Sequence, residues 1–239
     1  KLPDFLPNGF KIIENGNADH VFNLKLKDDE TFELQVWQKG LENLIFDEER
    51  RDGLILFENQ LHLTIGNYAV SKVFVHAGVI GWKGMGIVFP GTGFSGKSTL
   101  IAELVKLGAI YYSDEYAVLD EDCNVHPFPR MLLLRGIESE LKQTPVPIET
   151  LGGKNGIDPI PVKFVVFTEF KNNAVWKPKK LSKAEGVMNL LANTIPIRQQ
   201  PQLSLNVLNK LAGQSIMIKS KRGEAQKLAK VILKFLEQE

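Results

Sequence analysis

The sequence has 239 residues, of which 44% are hydrophobic and 24% are charged, and its formal net charge is +1. This composition excludes an intrinsically disordered chain, and the near-zero charge offers no footprint for wholesale nucleic-acid binding. No apolar run approaches the length of a membrane span. From the charge and the apolar runs together, we expect neither nucleic acid nor a membrane as a partner. A single cysteine, Cys123, has no internal disulfide partner, which favours a cytoplasmic location.

Residues 1–65 are predicted to form a small N-terminal β unit. Hydrophobic residues alternate over 22–26 and again over 32–36, with a polar turn at 27–30 between them, as in half-buried strands. The same alternation at Leu61, Leu63 and Ile65 predicts a further strand. The region carries no catalytic motif, so we assign 1–65 to this unit and 66–239 to a second domain.

The second domain begins with a predicted β-hairpin. Apolar segments lie at 72–75 and 79–80, a turn follows at 82–84, and the strand 87–89 leads into a glycine-rich loop. The hairpin brings His76 to the strand region just upstream of that loop.

The segment GTGFSGKS at 91–98 fits the phosphate-binding motif G-x-x-x-x-G-K-[ST] at all four required positions. Glycines let backbone N–H groups surround a polyphosphate at the positive end of a helix. The lysine of the motif reaches the β and γ phosphates, and its final hydroxyl ligates Mg²⁺. We therefore expect a nucleoside triphosphate, and the absence of a guanine-type N-K-x-D motif favours ATP. The predicted nucleotide-binding residues in this stretch are Gly91, Gly93, Phe94, Ser95, Gly96, Lys97, Ser98 and Thr99.

Phosphoryl transfer also requires a carboxylate near Mg²⁺ and a group that deprotonates the acceptor. After the predicted loop helix, which ends near Gly108, the strand 109–115 ends in the acids Asp114 and Glu115. Asp120 and Glu169 also follow apolar strands. The adjacent pair is favoured because two neighbouring carboxylates can divide the roles of base and metal ligand. This predicts Asp114 as the base and Glu115, with Ser98, as the metal ligands.

The remaining elements follow from local patterns. A long irregular segment at 143–161 precedes a buried strand at 162–167. Ser182 and Glu185 form a predicted capping box that opens a helix through Leu191. Another helix is expected near 203–211, then a strand at 215–218 and an amphipathic helix at 224–236. The basic runs 177–180 and 219–222 are interpreted as solvated loops.

The stretch 75–136 resembles the catalytic domain of the HPr kinase/phosphorylase family, a P-loop group related to ATP-dependent phosphoenolpyruvate carboxykinases. The shared pattern is Val75-His76, the hairpin Gly84-Met85-Gly86, the phosphate loop and the Asp114-Glu115 pair, in that order. The resemblance implies an α/β fold with an HPr kinase/PEP carboxykinase-like P-loop core beside the small N-terminal β unit. It implies that Asp114 is the acid/base, Glu115 the second acid near Mg²⁺, and His76 a neighbour of the reacting phosphate. Lys97 would complete the catalytic set.

The sequence also departs from the family pattern. Glu115 replaces an aspartate, and Leu133 stands where the family has a glutamate. The late family segment is only partly echoed at 195–200, where Arg198 is a candidate contact to the nucleotide or acceptor. We expect an ATP- and Mg²⁺-dependent phosphotransferase acting on a hydroxyl, most simply a serine of a protein, a peptide or a small molecule. The alternatives are a catalytically silent nucleotide-binding regulatory module and a phosphorylase of a phosphoserine; the resemblance also allows for a homo-oligomer.

Overall fold

The computed structural model describes residues 17–27, 31–38, 44–93, 95–136 and 143–238. The chain divides into two compact units, Lys1–Tyr68 and Ala69–Glu239. The strands are β1 (His20–Leu26), β2 (Thr31–Gln38), β3 (Leu44–Glu49), β4 (Val73–Trp82), β5 (Met85–Pro90), β6 (Ile110–Ser113), β7 (Tyr116–Leu119), β8 (Asn124–His126), β9 (Leu132–Arg135), β10 (Gln143–Val146), β11 (Ile160–Phe170), β12 (Lys179–Lys180) and β13 (Ile216–Arg222). The α-helices are α1 (Arg50–Tyr68), α2 (Lys97–Lys106), α3 (Lys183–Leu191), α4 (Pro201–Gln214) and α5 (Ala225–Leu236), and short 3-10 helices lie at Ile148–Leu151 and Ile195–Ile197.

The N-terminal unit combines a three-stranded antiparallel sheet, in the order β1-β2-β3, with helix α1. Alternating side chains of β1 and β2 supply its apolar face, as the sequence pattern predicted. Leu34, Val36 and Phe57 are buried at the centre, and Phe22 and Leu24 pack against them.

The strand predicted around Leu61, Leu63 and Ile65 is wrong, because these residues belong to helix α1. Leu54, Phe57 and Leu61 recur at intervals of three and four, which is the helical period. Phe57 and Leu61 both pack into the core of this unit, whereas Leu63 is 38% exposed. The short alternation at 61–65 was a coincidence within a longer helical pattern.

The larger unit contains a mixed eight-stranded sheet in the order β12-β13-β11-β5-β4-β7-β8, with β6 also paired to β4. Strands β13, β11 and β5 run parallel, whereas β4 is antiparallel to β5, β6 and β7. The predicted mixed α/β fold class is therefore confirmed. In such sheets, ligands bind outside the carboxyl ends of the parallel strands. Here, those ends are the residues that follow β5, β11 and β13.

Helices cover both faces of this sheet, and the alternation of side chains along the strands shows which helices cover which face. Ile87 and Phe89 of β5 pack with residues of α2 and α5. Val88, between them in the chain, packs with residues of α3 and α4. Phe164 and Val165 of β11 divide in the same way between the two clusters. We call these the α2 face and the α3 face of the sheet.

Most elements predicted after residue 66 are confirmed with small changes of boundary. The capping box at Ser182 is present, since its hydroxyl accepts from the Glu185 backbone N–H and the Glu185 carboxylate accepts from the Ser182 backbone N–H. The segment predicted as irregular at 143–161 contains strand β10 and a 3-10 helix. The strand predicted at 215–218 continues to Arg222, so the basic run 219–222 is a strand rather than a solvated loop. In the described ranges, no helix combines the length and apolar character that crossing a membrane requires.

Candidate functional site

The glycine-rich loop at 91–96 connects the end of β5 to the start of α2, as the motif requires. Lys97, the first residue of the helix, is buried, and its Nζ donates to the carbonyl oxygens of Gly91 (2.7 Å) and Thr92 (2.8 Å). Burial lowers the pKa of Lys97, and the charges of Glu115 and Asp114 only partly offset this. Lys97 thus forms hydrogen bonds within the loop, and the charges of both acids act on its pKa.

Gly96 is the N-cap of helix α2, and its backbone is left-handed with φ 76°. Only glycine adopts this conformation without strain, and it lets the loop turn directly into the helix. At the helix start, Ser95 Oγ is buried and has no hydrogen-bond partner within the described ranges. Gly93 is exposed, and Thr99 is an exposed residue of the first helical turn. Phe94 lies outside the described residues.

Asp114 follows strand β6 and is joined directly to the loop helix. Its Oδ2 accepts a hydrogen bond from Ser98 Oγ at 2.7 Å, and its Oδ1 accepts one from the Tyr111 hydroxyl at 2.9 Å. The residue is only 4% exposed. Burial raises the pKa of Asp114 and outweighs the lowering by Arg130 and by these two hydrogen bonds. Asp114 is therefore a buried carboxyl, each oxygen of which accepts a hydrogen bond.

Glu115 has a different environment, although it is the next residue. Its Oε1 lies 3.3 Å from His76 Nε2, and the two side chains are 30% and 24% exposed. Burial raises the pKa of Glu115, but the hydrogen bond and charge of His76, together with Arg130 and Lys97, lower it overall. Glu115 is thus held as an anion next to a histidine, and both side chains are accessible from solvent.

Backbone hydrogen bonds hold these three segments together. The amide of Gly91 donates to the His76 carbonyl at 3.2 Å, and the amide of Ala77 donates to the Glu115 carbonyl at 3.0 Å. Strand β4 carries both His76 and Ala77. It therefore holds Gly91, at the start of the loop, and Glu115 in fixed positions relative to each other. The structure therefore brings together the predicted residues His76, Lys97, Ser98, Asp114 and Glu115.

Arg222 is a site residue that the sequence analysis missed. It lies at the end of β13 and is 3% exposed, and its Nη2 donates to the carbonyls of Ser95 (2.9 Å) and Gly96 (3.0 Å). Its guanidinium also lies 5.4 Å from the Phe170 ring centroid. Burial lowers its pKa, and Glu224 partly compensates. No local pattern distinguishes Arg222 from its exposed neighbours in the basic run, so only the fold reveals its role.

Two further missed residues surround Asp114. Burial and the neighbouring Asp114 raise the pKa of Tyr111 well above its ordinary value, so Tyr111 remains a hydrogen-bond donor. The charge of Arg130, from the segment between β8 and β9, acts on both Asp114 and Glu115. The spacing of three residues between Tyr111 and Asp114 was a weak local signal, whereas Arg130 had none.

Among the described residues, no contact joins the remaining candidates to this cluster. Arg198 follows the 3-10 helix beside β4, and its side chain is exposed. Asp120 instead organises a turn: His126 Nε2 lies 2.9 Å from its Oδ2, and the Asn124 amide donates to its Oδ1 at 2.8 Å. Glu169 lies within β11, near the end of the strand, and is exposed.

A divalent cation at this site would depend on few protein ligands. Across the part of the chain that the structure describes, no group of three or more histidine, cysteine, aspartate or glutamate side chains is arranged to hold a metal. Mg²⁺ in nucleotide enzymes typically uses one or two carboxylates with phosphate oxygens and water. The hydroxyl of Ser98 and the carboxylate of Asp114, 2.7 Å apart, are hard oxygen donors that fit this pattern.

No protein-family model matches this chain, and no curated protein matches it significantly. The resemblance to the HPr kinase/phosphorylase family therefore stays a prediction, drawn from the pattern of residues from His76 through the loop to Asp114 and Glu115. In the structure, the hydrogen bonds described above join those segments at one end of the sheet.

Proposed function

We propose that the chain is an ATP- and Mg²⁺-dependent phosphotransferase that acts on a hydroxyl, built on a P-loop core of the HPr kinase/PEP carboxykinase type. The observation that carries this proposal is the hydrogen bond between Ser98 and Asp114. It joins the last hydroxyl of the phosphate-binding motif to a buried acid, beside Lys97 and the Glu115–His76 pair. A glycine-rich turn without a nucleotide role has no need for this convergence of charged groups.

The contacts of the acids suggest how they divide the work. Mg²⁺, held through Ser98 and Asp114, would neutralise charge on the phosphates during transfer. Asp114 is poorly suited to accept a proton from an incoming hydroxyl, because it is 4% exposed and its two oxygens face Ser98 and Tyr111. The Glu115–His76 pair is accessible, so we assign proton acceptance to it. This exchanges the roles that the sequence predicted for Asp114 and Glu115.

In the proposed reaction, the acceptor oxygen forms a bond to the γ-phosphorus while the bond to the departing diphosphate breaks. The hydroxyl proton passes to the Glu115–His76 pair. Lys97 already donates to carbonyls of the loop, and it would turn from these toward the β and γ phosphates.

The order of strands indicates where the nucleoside would lie. The acids and His76 lie on the β4 side of β5, whereas β11 and β13 lie on its other side. On that second side is a cavity of about 310 Å³, lined by Trp176, Gly223 and Leu228 among others. Arg222, next to Gly223, contacts the loop carbonyls, so the cavity adjoins the loop. Because a nucleoside triphosphate is elongated, a γ-phosphate at the acids places the nucleoside toward this cavity.

Transfer of labelled γ-phosphate from Mg-ATP to a panel of serine, peptides and bacterial proteins tests the proposal. We expect a labelled product that is lost in Lys97→Ala. ATP binding without acceptor-dependent turnover would instead identify the silent regulatory module. Release of pyrophosphate from inorganic phosphate and a phosphoprotein would identify the phosphorylase.

A further inference from the structure

A second cavity lies at the carboxyl ends of the parallel strands, on the α3 face of the sheet. Its volume is about 380 Å³, within the range of small-molecule sites, and its walls include Pro90, Glu169, Asn189, Asn193 and Lys219. Neither the proposed nucleotide position nor the acids at the loop occupy this cavity.

The cavity adjoins the proposed reaction centre on two sides. Pro90 immediately precedes Gly91, whose carbonyl accepts from Lys97 Nζ at 2.7 Å. The carbonyl of Asn193, another lining residue, accepts from the His76 amide at 2.7 Å. A molecule in this cavity would therefore border both the entrance of the loop and the strand that carries His76.

The cavity carries one anionic and one cationic side chain. Phe167 and Lys219 are register partners on the adjacent parallel strands β11 and β13. Since side chains alternate along a strand, Glu169, two residues after Phe167, lies on the same face. Lys219 Nζ donates to Asn189 Oδ1 at 3.1 Å, which places the ammonium group against α3. The opening thus presents a carboxylate and an ammonium group on neighbouring strands.

This cavity therefore offers an acceptor for an ammonium group at Glu169 and a donor for a carboxylate at Lys219.

We infer that this cavity binds the phosphate acceptor, and that the acceptor is a small zwitterionic amino acid with a hydroxyl side chain. The inference rests on the proposed phosphotransferase function. Glu169 would hold the ammonium group, Lys219 would hold the carboxylate, and the hydroxyl would point toward the loop. A site that binds both charges of a ligand discriminates against analogues that lack one of them.

Binding is measured first, by equilibrium dialysis of labelled L-serine against the full chain without nucleotide. L-Serinamide lacks the carboxylate and N-acetyl-L-serine lacks the ammonium group, so each should compete at least about tenfold more weakly than L-serine. Glu169→Gln and Lys219→Met should each weaken serine binding by about tenfold or more. The matched controls Glu121→Gln and Lys230→Met, which remove exposed charges elsewhere, should bind serine as the wild type does.

Phosphoryl transfer from labelled Mg-ATP to the same three compounds separates the two proposals. Transfer to L-serine, with a KM raised in Glu169→Gln and Lys219→Met, supports both. Serine binding that depends on both charges but without any transfer would refute the phosphotransferase and retain the amino-acid site. Transfer to other acceptors, with serine binding absent or unaffected by the two variants, would overturn the acceptor inference and leave the phosphotransferase standing.

Discussion

The hydroxyl of Ser98 donates a 2.7 Å hydrogen bond to the carboxylate of Asp114, across 16 residues of sequence. The bond connects the start of the loop helix α2 to the end of strand β6. Because Asp114 also accepts from Tyr111, both of its carboxylate oxygens are fixed before any ligand arrives. Loop and acid are thus held in one preorganised arrangement, as electrostatic catalysis requires.

Asp114→Asn should raise the Mg²⁺ concentration that transfer requires more than it weakens nucleotide binding. The amide keeps the size of the side chain but removes the charge that would stabilise Mg²⁺ beside Ser98. We expect the Mg²⁺ concentration for half-maximal transfer to rise roughly ten- to a hundred-fold, with metal-free ATP binding retained. Kinetics at varied Mg²⁺ and equilibrium ATP binding measure the two effects. A lowered kcat with an unchanged Mg²⁺ concentration for half-maximal transfer would instead indicate that Asp114 is the base.

The same variant should change how stability depends on pH. Burial raises the folded-state pKa of Asp114 above the reference value of 3.8. Its contribution to stability is therefore present below that value and is lost as pH rises through the folded-state pKa. Asp114→Asn does not titrate at this position, so its stability relative to wild type should increase as the pH rises above about 4. Urea unfolding across this range is the measurement, and a relative decrease would show that the folded-state pKa is lowered instead.

Glu115→Gln should slow transfer without weakening ATP binding. The glutamine keeps the shape but cannot accept the proton of the acceptor, and it removes the anion beside His76. Loss of a positioned acid–base group typically lowers the rate by about 10²- to 10⁴-fold, so we expect kcat to fall within that range. Steady-state kinetics compare it with Glu121→Gln, in which the altered side chain is exposed. A kcat equal to that of the control would exclude Glu115 as the proton acceptor.

Local patterns predicted the parts of the fold that depend on neighbouring residues. The capping box of Ser182 and Glu185 is complete within four residues, so the start of α3 could be identified from sequence. Helix α1 was missed because a three-residue alternation at 61–65 imitated a strand inside a longer helical pattern. The P-loop assignment of the core remains a prediction, whereas the mixed α/β sheet is established.

The site could be predicted only where its residues share a motif. Lys97 and Ser98 were predicted from the phosphate-binding motif, and Asp114 and Glu115 were predicted from their position at the end of a strand. Arg222 could not be found because its contact with Ser95 spans 127 residues, and its burial depends on how β13 enters the sheet. The opposite environments of Asp114 and Glu115 likewise arise from tertiary packing, since sequence presents them only as adjacent acids.

Arg222→Met should weaken both the fold and nucleotide binding. The guanidinium donates to the carbonyls of Ser95 and Gly96. The Gly96 carbonyl also accepts from the Leu100 amide, so methionine would remove the donor to the Ser95 carbonyl in particular. An unsatisfied buried acceptor costs about 1–3 kcal/mol of unfolding free energy. Urea unfolding and titration with a fluorescent ATP analogue measure the effects against Lys221→Met, an exposed neighbour on the same strand. If Arg222→Met is less stable but binds the nucleotide with normal affinity, Arg222 stabilises the fold and does not contribute to nucleotide binding.

Gly96→Ala should disrupt the loop, whereas Gly93→Ala should not disturb the fold. Gly96 has φ 76°, and left-handed backbone costs other residues about 1–2 kcal/mol. An added Cβ would also collide with Nη2 of Arg222, so the guanidinium would have to leave its position. At Gly93, an added Cβ meets nothing within 4 Å, and thermal unfolding should match wild type within about 0.5 kcal/mol. Equal stability of the two variants would show that the contact between Arg222 and the loop is not part of the folded state in solution.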